Sequence, residues 1–182
     1  MSIQTHRKMT LKQRFGARVA HVIEMWRANQ VINPCSDGTP VTYPYGVRSS
    51  AYASGYHTGE DHACVEGTLV QSVSYGKVVF VGDGSHPGGW GPSYGKQVII
   101  ETVKVEQKTG KSYRYAYCHL SAVNIKVGTR VNPGAVLGRS GQTGNATGPH
   151  LHFEARVVPY TYGTDIRPSI VKMRRGNRAG NR

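Results

Sequence analysis

The sequence predicts a mainly β domain, with antiparallel sheets packed in a sandwich-like arrangement and one helix at the N-terminal end. Three observations carry this. Twenty-three glycines and nine prolines in 182 residues require many turns. From about Val41 onward, short β-branched and aromatic runs alternate with glycine-bounded breaks. Only the first thirty or so residues repeat apolar positions at intervals of three and four.

That helix comes first in the chain. Leu11, Phe15, Val19, Val22, Ile23 and Trp26 share one helical face, Thr10 is a candidate N-cap, and Asn33-Pro34 stops the run. The flanking charges are basic: Arg7, Lys8, Lys12, Arg14, Arg18 and Arg27 against Glu24 alone. Two readings stay open, a helix packed on the domain and a basic amphipathic helix that meets a membrane surface or a partner. Residues 1–38 are grouped as an N-terminal extension, 39–170 as the main domain and 171–182 as a basic, disordered tail. The last ten residues hold four arginines and no acid.

Within the main domain, Leu69–Val73, Gly76–Val81, Gln97–Val105, Ser112–His119 and Leu151–Val158 read as strands. Val127–Val136 reads as strand, turn, strand around Asn132-Pro133-Gly134. Gly82–Gly95, with six glycines and two prolines in fourteen residues, is a long loop of the kind that often carries function.

Composition narrows the classes further. No segment is apolar for long enough to cross a bilayer. Arg7-Lys8 resembles the start of a secretory signal, but charges from Lys12 to Arg18 break the apolar stretch that should follow, so another delivery route is expected. The net charge of +13 favours polyanionic partners: nucleic acid, anionic lipid or an anionic cell wall. Without a recognition motif or a basic–aromatic stripe, a specific nucleic-acid role is disfavoured. The odd number of cysteines, Cys35, Cys64 and Cys118, leaves at least one unpaired in a monomer, the state expected here, and the absence of CxxC argues against a thiolate zinc knuckle.

Three stretches carry chemistry: His57-Thr58-Gly59-Glu60-Asp61, Tyr117-Cys118-His119-Leu120-Ser121, and Gly141 to Glu154 with His150-Leu151-His152-Phe153-Glu154 at its end. On a strand, alternate residues share a face. His150 and His152 therefore line one side while Leu151 and Phe153 enter the core. Zinc accepts imidazole and carboxylate, and a catalytic site uses three protein ligands. His57 and Asp61 can supply two, with Gly59 permitting a close approach, and the strand a third. Each motif alone has a bland reading, since an HxH pair is more often two half-exposed surface histidines. The three together, each in a suitable strand or turn, shift the balance.

Taken together, the motifs resemble the lysostaphin/LytM-type zinc endopeptidases, which cut peptide bonds in bacterial peptidoglycan. The matching residues are His57-x3-Asp61, Tyr117-x-His119-Leu120-Ser121 and Gly-x-x-Gly-Pro-His150-Leu151-His152-Phe153-Glu154. Tyr45-Gly46-Val47-Arg48, Gly67-Thr68-Leu69-Val70, Tyr94–Ile100, Val127–Val131 and Asp165–Pro168 extend the likeness over about residues 40–170.

The resemblance implies Zn2+ held by His57, Asp61 and His152, and catalytic roles for His119 and His150. A metal-activated water would attack the scissile carbonyl, with the two histidines as acid/base and oxyanion stabiliser and His150 as the base. His62 is not expected to bind metal. Cys118 stands where the family usually has a small residue; alternation turns it away from His119, and the shared site leaves two readings of Cys64 and Cys118, a disulfide or two buried thiols. Glu154 shares the face of the histidine pair, either supporting a ligand or facing solvent. His86, Trp90 and Tyr94 of the long loop are candidates for shaping substrate choice.

The implied setting is the bacterial cell wall, reached by a phage lysin released by a holin or carried in the virion. The alternative is a non-catalytic wall-binding or amidase-activating module, which all five site residues argue against. The bond stays open among a D-Ala–diaminopimelate cross-link, an interpeptide bridge and a stem-peptide bond.

Overall fold

The computed structural model describes residues 32–102, 111–159 and 163–168. The expected N-terminal helix and basic tail lie outside these residues. Among the described residues, the runs read as strands do form strands, with ends shifted by one to a few residues. They are β3 (Leu69–Gln71), β4 (Gly76–Asp83), β5 (Lys96–Thr102), β6 (Tyr113–Cys118) and β10 (Leu151–Val157). β4 runs on into the first two residues of the expected loop. The strand–turn–strand stretch supplies β8 (Arg130–Val131) and β9 (Val136–Arg139). Four strands of two or three residues were not anticipated: β1 (Val41–Tyr43), β2 (Glu60–His62), β7 (Ala122–Val123) and β11 (Asp165–Ile166).

All strand pairings among the described residues are antiparallel. The larger sheet runs β1-β2-β10-β6-β5-β4-β8, and β11 pairs with β10 beyond the end of β2. A smaller sheet, β3-β9-β7, forms a second layer. One face of the large sheet is apolar because alternate residues of its strands are: Val98, Ile100, Tyr115, Tyr117, Leu151, Phe153 and Ala155 pack with Val70 and Leu137 of the small sheet. This core lends the site rigid strands and shares none of its residues with it.

The opposite face is also covered. Phe80, Ile99, Ala116 and Cys118 pack with Trp90 of the loop that follows β4. That loop is folded back by Gly84 N–H to Gly95 O at 2.9 Å and by Trp90 N–H to the Gln97 side-chain oxygen at 3.0 Å.

The cysteines pair differently from either reading. Cys35 bonds to Cys64, and Cys118 is a buried free thiol. The reason is which face each occupies. Cys35 and Cys64 belong to the core between the sheets, whereas Cys118 belongs to the cluster on the far side of the large sheet. The bridge fastens residues 32–38, grouped above with the N-terminal extension, onto the domain. Ser36 N–H donates to Leu69 O, Gln71 N–H donates to Pro34 O, and Ile32 is buried in the core.

Candidate active site

β2 and β10 are neighbours, and their register sets Asp61 directly opposite His152. Directly paired residues on antiparallel strands project to the same side. His57 precedes β2 and is drawn over it because its backbone N–H donates to Val47 O. Gly59, between the two ligands, is packed tightly: a Cβ there would lie 2.7 Å from the His152 ring and from Phe153 O.

Three donor atoms converge. His57 Nε2 lies 3.1 Å from Asp61 Oδ1 and 3.0 Å from His152 Nδ1, and His152 Nδ1 lies 2.8 Å from Asp61 Oδ1. These separations fall a few tenths of an ångström inside the ~3.3 Å edge of a tetrahedron around zinc.

The rest of each ring explains why these atoms converge. His57 Nδ1 is engaged by Pro44 O at 3.1 Å, and His152 Nε2 by Glu154 at 3.2 Å. With a proton on its outer nitrogen, each ring would turn a lone pair toward the same carboxylate, an arrangement that suits a cation between them. Without a metal, the group draws a proton to the same place. Burial opposes charge on His152, but hydrogen bonds to Asp61 and Glu154 outweigh it and lift its pKa to about 9. Burial also opposes charge on Asp61, and His152 and His57 overcome it, holding the carboxyl well below the usual range. The three residues form a group able to hold a metal ion.

The other two histidines flank this group. His150 Nε2 stands 3.9 Å from Asp61 Oδ1, and its Nδ1 is engaged by Gly148 O at 2.8 Å. His119 Nδ1 is engaged by Thr143 O at 2.7 Å, and its ring centroid is 4.5 Å from that of His150. Both therefore present Nε2 to the cleft. Burial depresses the His119 pKa to about 4, with the Thr143 carbonyl opposing and the neighbouring histidines adding to the effect, so this ring is neutral.

His119 reaches the cleft by breaking strand alternation. Cys118 pairs with His152 and so lies on the site side of the sheet, not turned away from the site as alternation counted from His119 implied. At His119 the backbone enters the left-handed region, φ 60°, which resets the phase and returns the next side chain to the same side. Burial pushes the Cys118 thiol well up, so it stays protonated.

His62 turns the other way, its Nδ1 2.8 Å from Thr39 O. Glu154 is fully buried beneath His152, so the solvent-facing option is excluded. Of the loop residues, His86 is exposed, whereas Trp90 and Tyr94 point inward beneath the site. The sequence reading missed Tyr43 and Tyr52, whose rings lie 5.0 and 5.4 Å from that of His57. They line a groove beside Asp61 and His150 that Thr147 and Pro149 complete. The clustered tyrosines before His57 were the available signal.

Residues 55–168 match the model of Peptidase family M23. The chain belongs to this family. Its members are zinc metallopeptidases, and the His57–Asp61–His152 group could hold such an ion in this chain. Over 123 residues, 67% of the chain, it is 37% identical to lysostaphin of Staphylococcus simulans, covering 22% of that protein. It is 36% identical over 65% of its length to a DD-carboxypeptidase/endopeptidase of Neisseria meningitidis, covering 25% of that protein. The chain thus spans about a quarter of these curated relatives.

Among solved structures, the lysostaphin catalytic domain superposes with a TM-score of 0.61 at 33% identity, covering 74% of this chain and 92% of that one. The catalytic domain of a prophage-encoded M23 protein from Enterococcus faecalis gives 0.57 at 27% identity, covering 79% and 96%. The mainly β, antiparallel M23 fold is common to them.

Proposed function

We propose that this chain is a zinc-dependent endopeptidase that hydrolyses peptide bonds in bacterial peptidoglycan. The observation that carries the reading is the convergence of three potential ligand atoms, from His57, Asp61 and His152, beside two more histidines that present Nε2 to the same cleft. Zinc bound there supplies Lewis-acid polarisation of a carbonyl and a nucleophile from water at neutral pH.

The remaining chemistry belongs to the chain. His150, 3.9 Å from a ligand oxygen, takes a proton at Nε2. Its Nδ1 contact with Gly148 keeps that nitrogen free. Once protonated, such an imidazole donates to the oxygen that gains charge or to the departing amine. His119, held in the same tautomer, shares this work. The groove of Tyr43, Tyr52, Thr147 and Pro149 offers an open wall for an extended peptide.

The relatives' names support the substrate class, since they include a glycyl-glycine endopeptidase and peptidoglycan DD-endopeptidases. They leave the bond open between an interpeptide bridge and a direct cross-link. A phage lysin setting is supported by the likeness to the prophage-encoded domain.

The test is digestion of sacculi carrying glycine bridges and sacculi with direct cross-links, read by mass spectrometry of released peptides. Activity should vanish with a chelator and return with Zn2+. Alanine at His57, Asp61 or His152 should abolish zinc binding and activity together. Alanine at His119 or His150 should lower kcat at least ~100-fold while zinc stays bound. Intact sacculi after treatment with zinc-loaded protein would sink the proposal. Loss of zinc from the His150 variant with retention in the His152 variant would invert the ligand assignment.

A further inference from the structure

Glu154 takes no part in the chemistry above, yet it is the most heavily engaged carboxylate beneath the site. Its Oε2 accepts from Thr58 Oγ1 at 2.7 Å, from Tyr94 OH at 2.9 Å and from His152 Nε2 at 3.2 Å. Its Oε1 accepts from Arg156 Nε. The residue has no exposure to solvent. A buried carboxylate is costly unless it is paired and fully hydrogen-bonded, and here both oxygens are satisfied.

The donors come from separate parts of the chain. Thr58 sits in the turn between the ligands His57 and Asp61. Tyr94 ends the loop that follows β4. Arg156 lies two residues further along β10, its guanidinium 3.9 Å from the centroid of the Trp90 ring and its Nη2 donating to Tyr94 OH at 3.1 Å. One carboxylate therefore ties a metal ligand, the turn between the other two ligands, and the loop of residues 84–95.

We infer that Glu154 is a positioning residue, which holds His152 with its proton on Nε2 and its Nδ1 toward the metal, and which fastens Tyr94 of the loop and Arg156 of β10 to that ligand. The inference rests on the zinc assignment above and is independent of the substrate. An imidazole has two nitrogens of similar basicity, so a ligand histidine needs something to choose between them. An anionic acceptor behind the ring makes that choice, keeps the ring from rotating, and strengthens the lone pair in front.

The test is zinc affinity, measured by competition with a chromophoric chelator on the folded full chain, alongside thermal unfolding without metal. Glu154→Gln should weaken zinc binding about 10- to 100-fold. Because this change leaves Arg156 buried without its carboxylate, the double variant Glu154→Gln/Arg156→Met is measured too. Thr58→Val and Tyr94→Phe, which remove one donor each, should weaken zinc severalfold. A merely structural carboxylate lowers the unfolding temperature and leaves the affinity of the folded protein unchanged. Zinc affinity within twofold of wild type in the folded variants overturns the inference. Wild-type protein that binds zinc tightly but leaves sacculi intact counts against the proposed substrate and leaves this test standing.

Discussion

Gly59 is where the sequence spacing His-x3-Asp meets a steric limit. Its Cα faces the His152 ring so closely that a methyl group would lie 2.7 Å from Cε1, Nε2 and Phe153 O. Gly59→Ala must push β2 from β10 or rotate the ligand. We expect a loss of about 1–3 kcal/mol of stability and a clear drop in zinc affinity. Wild-type zinc affinity in that variant would show that the close approach is not needed.

His119 supports a pH prediction. Its folded pKa is depressed to about 4, chiefly by burial, from an ordinary 6.5. Below about 6.5 the unfolded chain binds a proton that the folded chain refuses, so stability falls as pH drops from there toward 4. A cation at the ligand group pushes the same way. Urea unfolding from pH 7 to 4.5 should show a shallower acid loss for His119→Gln than for wild type; parallel curves would remove His119 from the cause. These residues could be singled out in the sequence because three motifs occur together in one chain, each of which alone has a bland reading. The direction of each ring could not be read, since it depends on carbonyls such as Pro44 O and Thr143 O that only the fold brings near.

At the scale of elements, the strands anticipated were legible because β-branched or aromatic runs bounded by glycine mark them, even where, as in β3 and β8, only two or three residues pair. β1, β2, β7 and β11, of two or three residues, carry no period to read. β2 exists because it is clamped between β1 and β10, a tertiary cause. Counting alternation through Cys118 to His119 failed for a local reason, the left-handed residue at the end of β6. The cysteine pairing followed from that phase. A sequence shows that Cys64 and Cys118 both lie near the site, but not that a sheet separates them. The Cys35–Cys64 bridge closes a separation of 29 residues, so its loss in Cys35→Ser/Cys64→Ser should cost about 3 kcal/mol, to be measured by thermal unfolding. Cys118→Ser should keep the bridge. Thiol titration of denatured, non-reduced protein should find one thiol, and three after reduction. Three before reduction would refute the pairing.

For the whole molecule, charge is distributed very unevenly. The described residues carry ten Lys or Arg and eight Asp or Glu, close to balance. The other thirteen basic residues and two acids fall outside them, six of the basic ones in residues 1–31 and five in residues 169–182. The site therefore sits in a nearly neutral domain while the chain as a whole has a net charge of +13. A basic chain end gains from an anionic polymer by Coulomb attraction that salt screens over about 10 Å at 0.1 M, and it adds nothing to a reaction at a rigid strand pair. Residues 31–173 form a compact unit by themselves, so the two contributions are separable. A chain trimmed to that unit should keep kcat/KM on a short, soluble cross-link peptide within about twofold. Its binding to sacculi should weaken, and that binding should lose most of its dependence on salt between 0.05 and 0.5 M. Equal salt dependence in the two proteins would place the wall affinity in the catalytic domain, and a collapse of peptide hydrolysis on trimming would mean that the basic ends support the site itself.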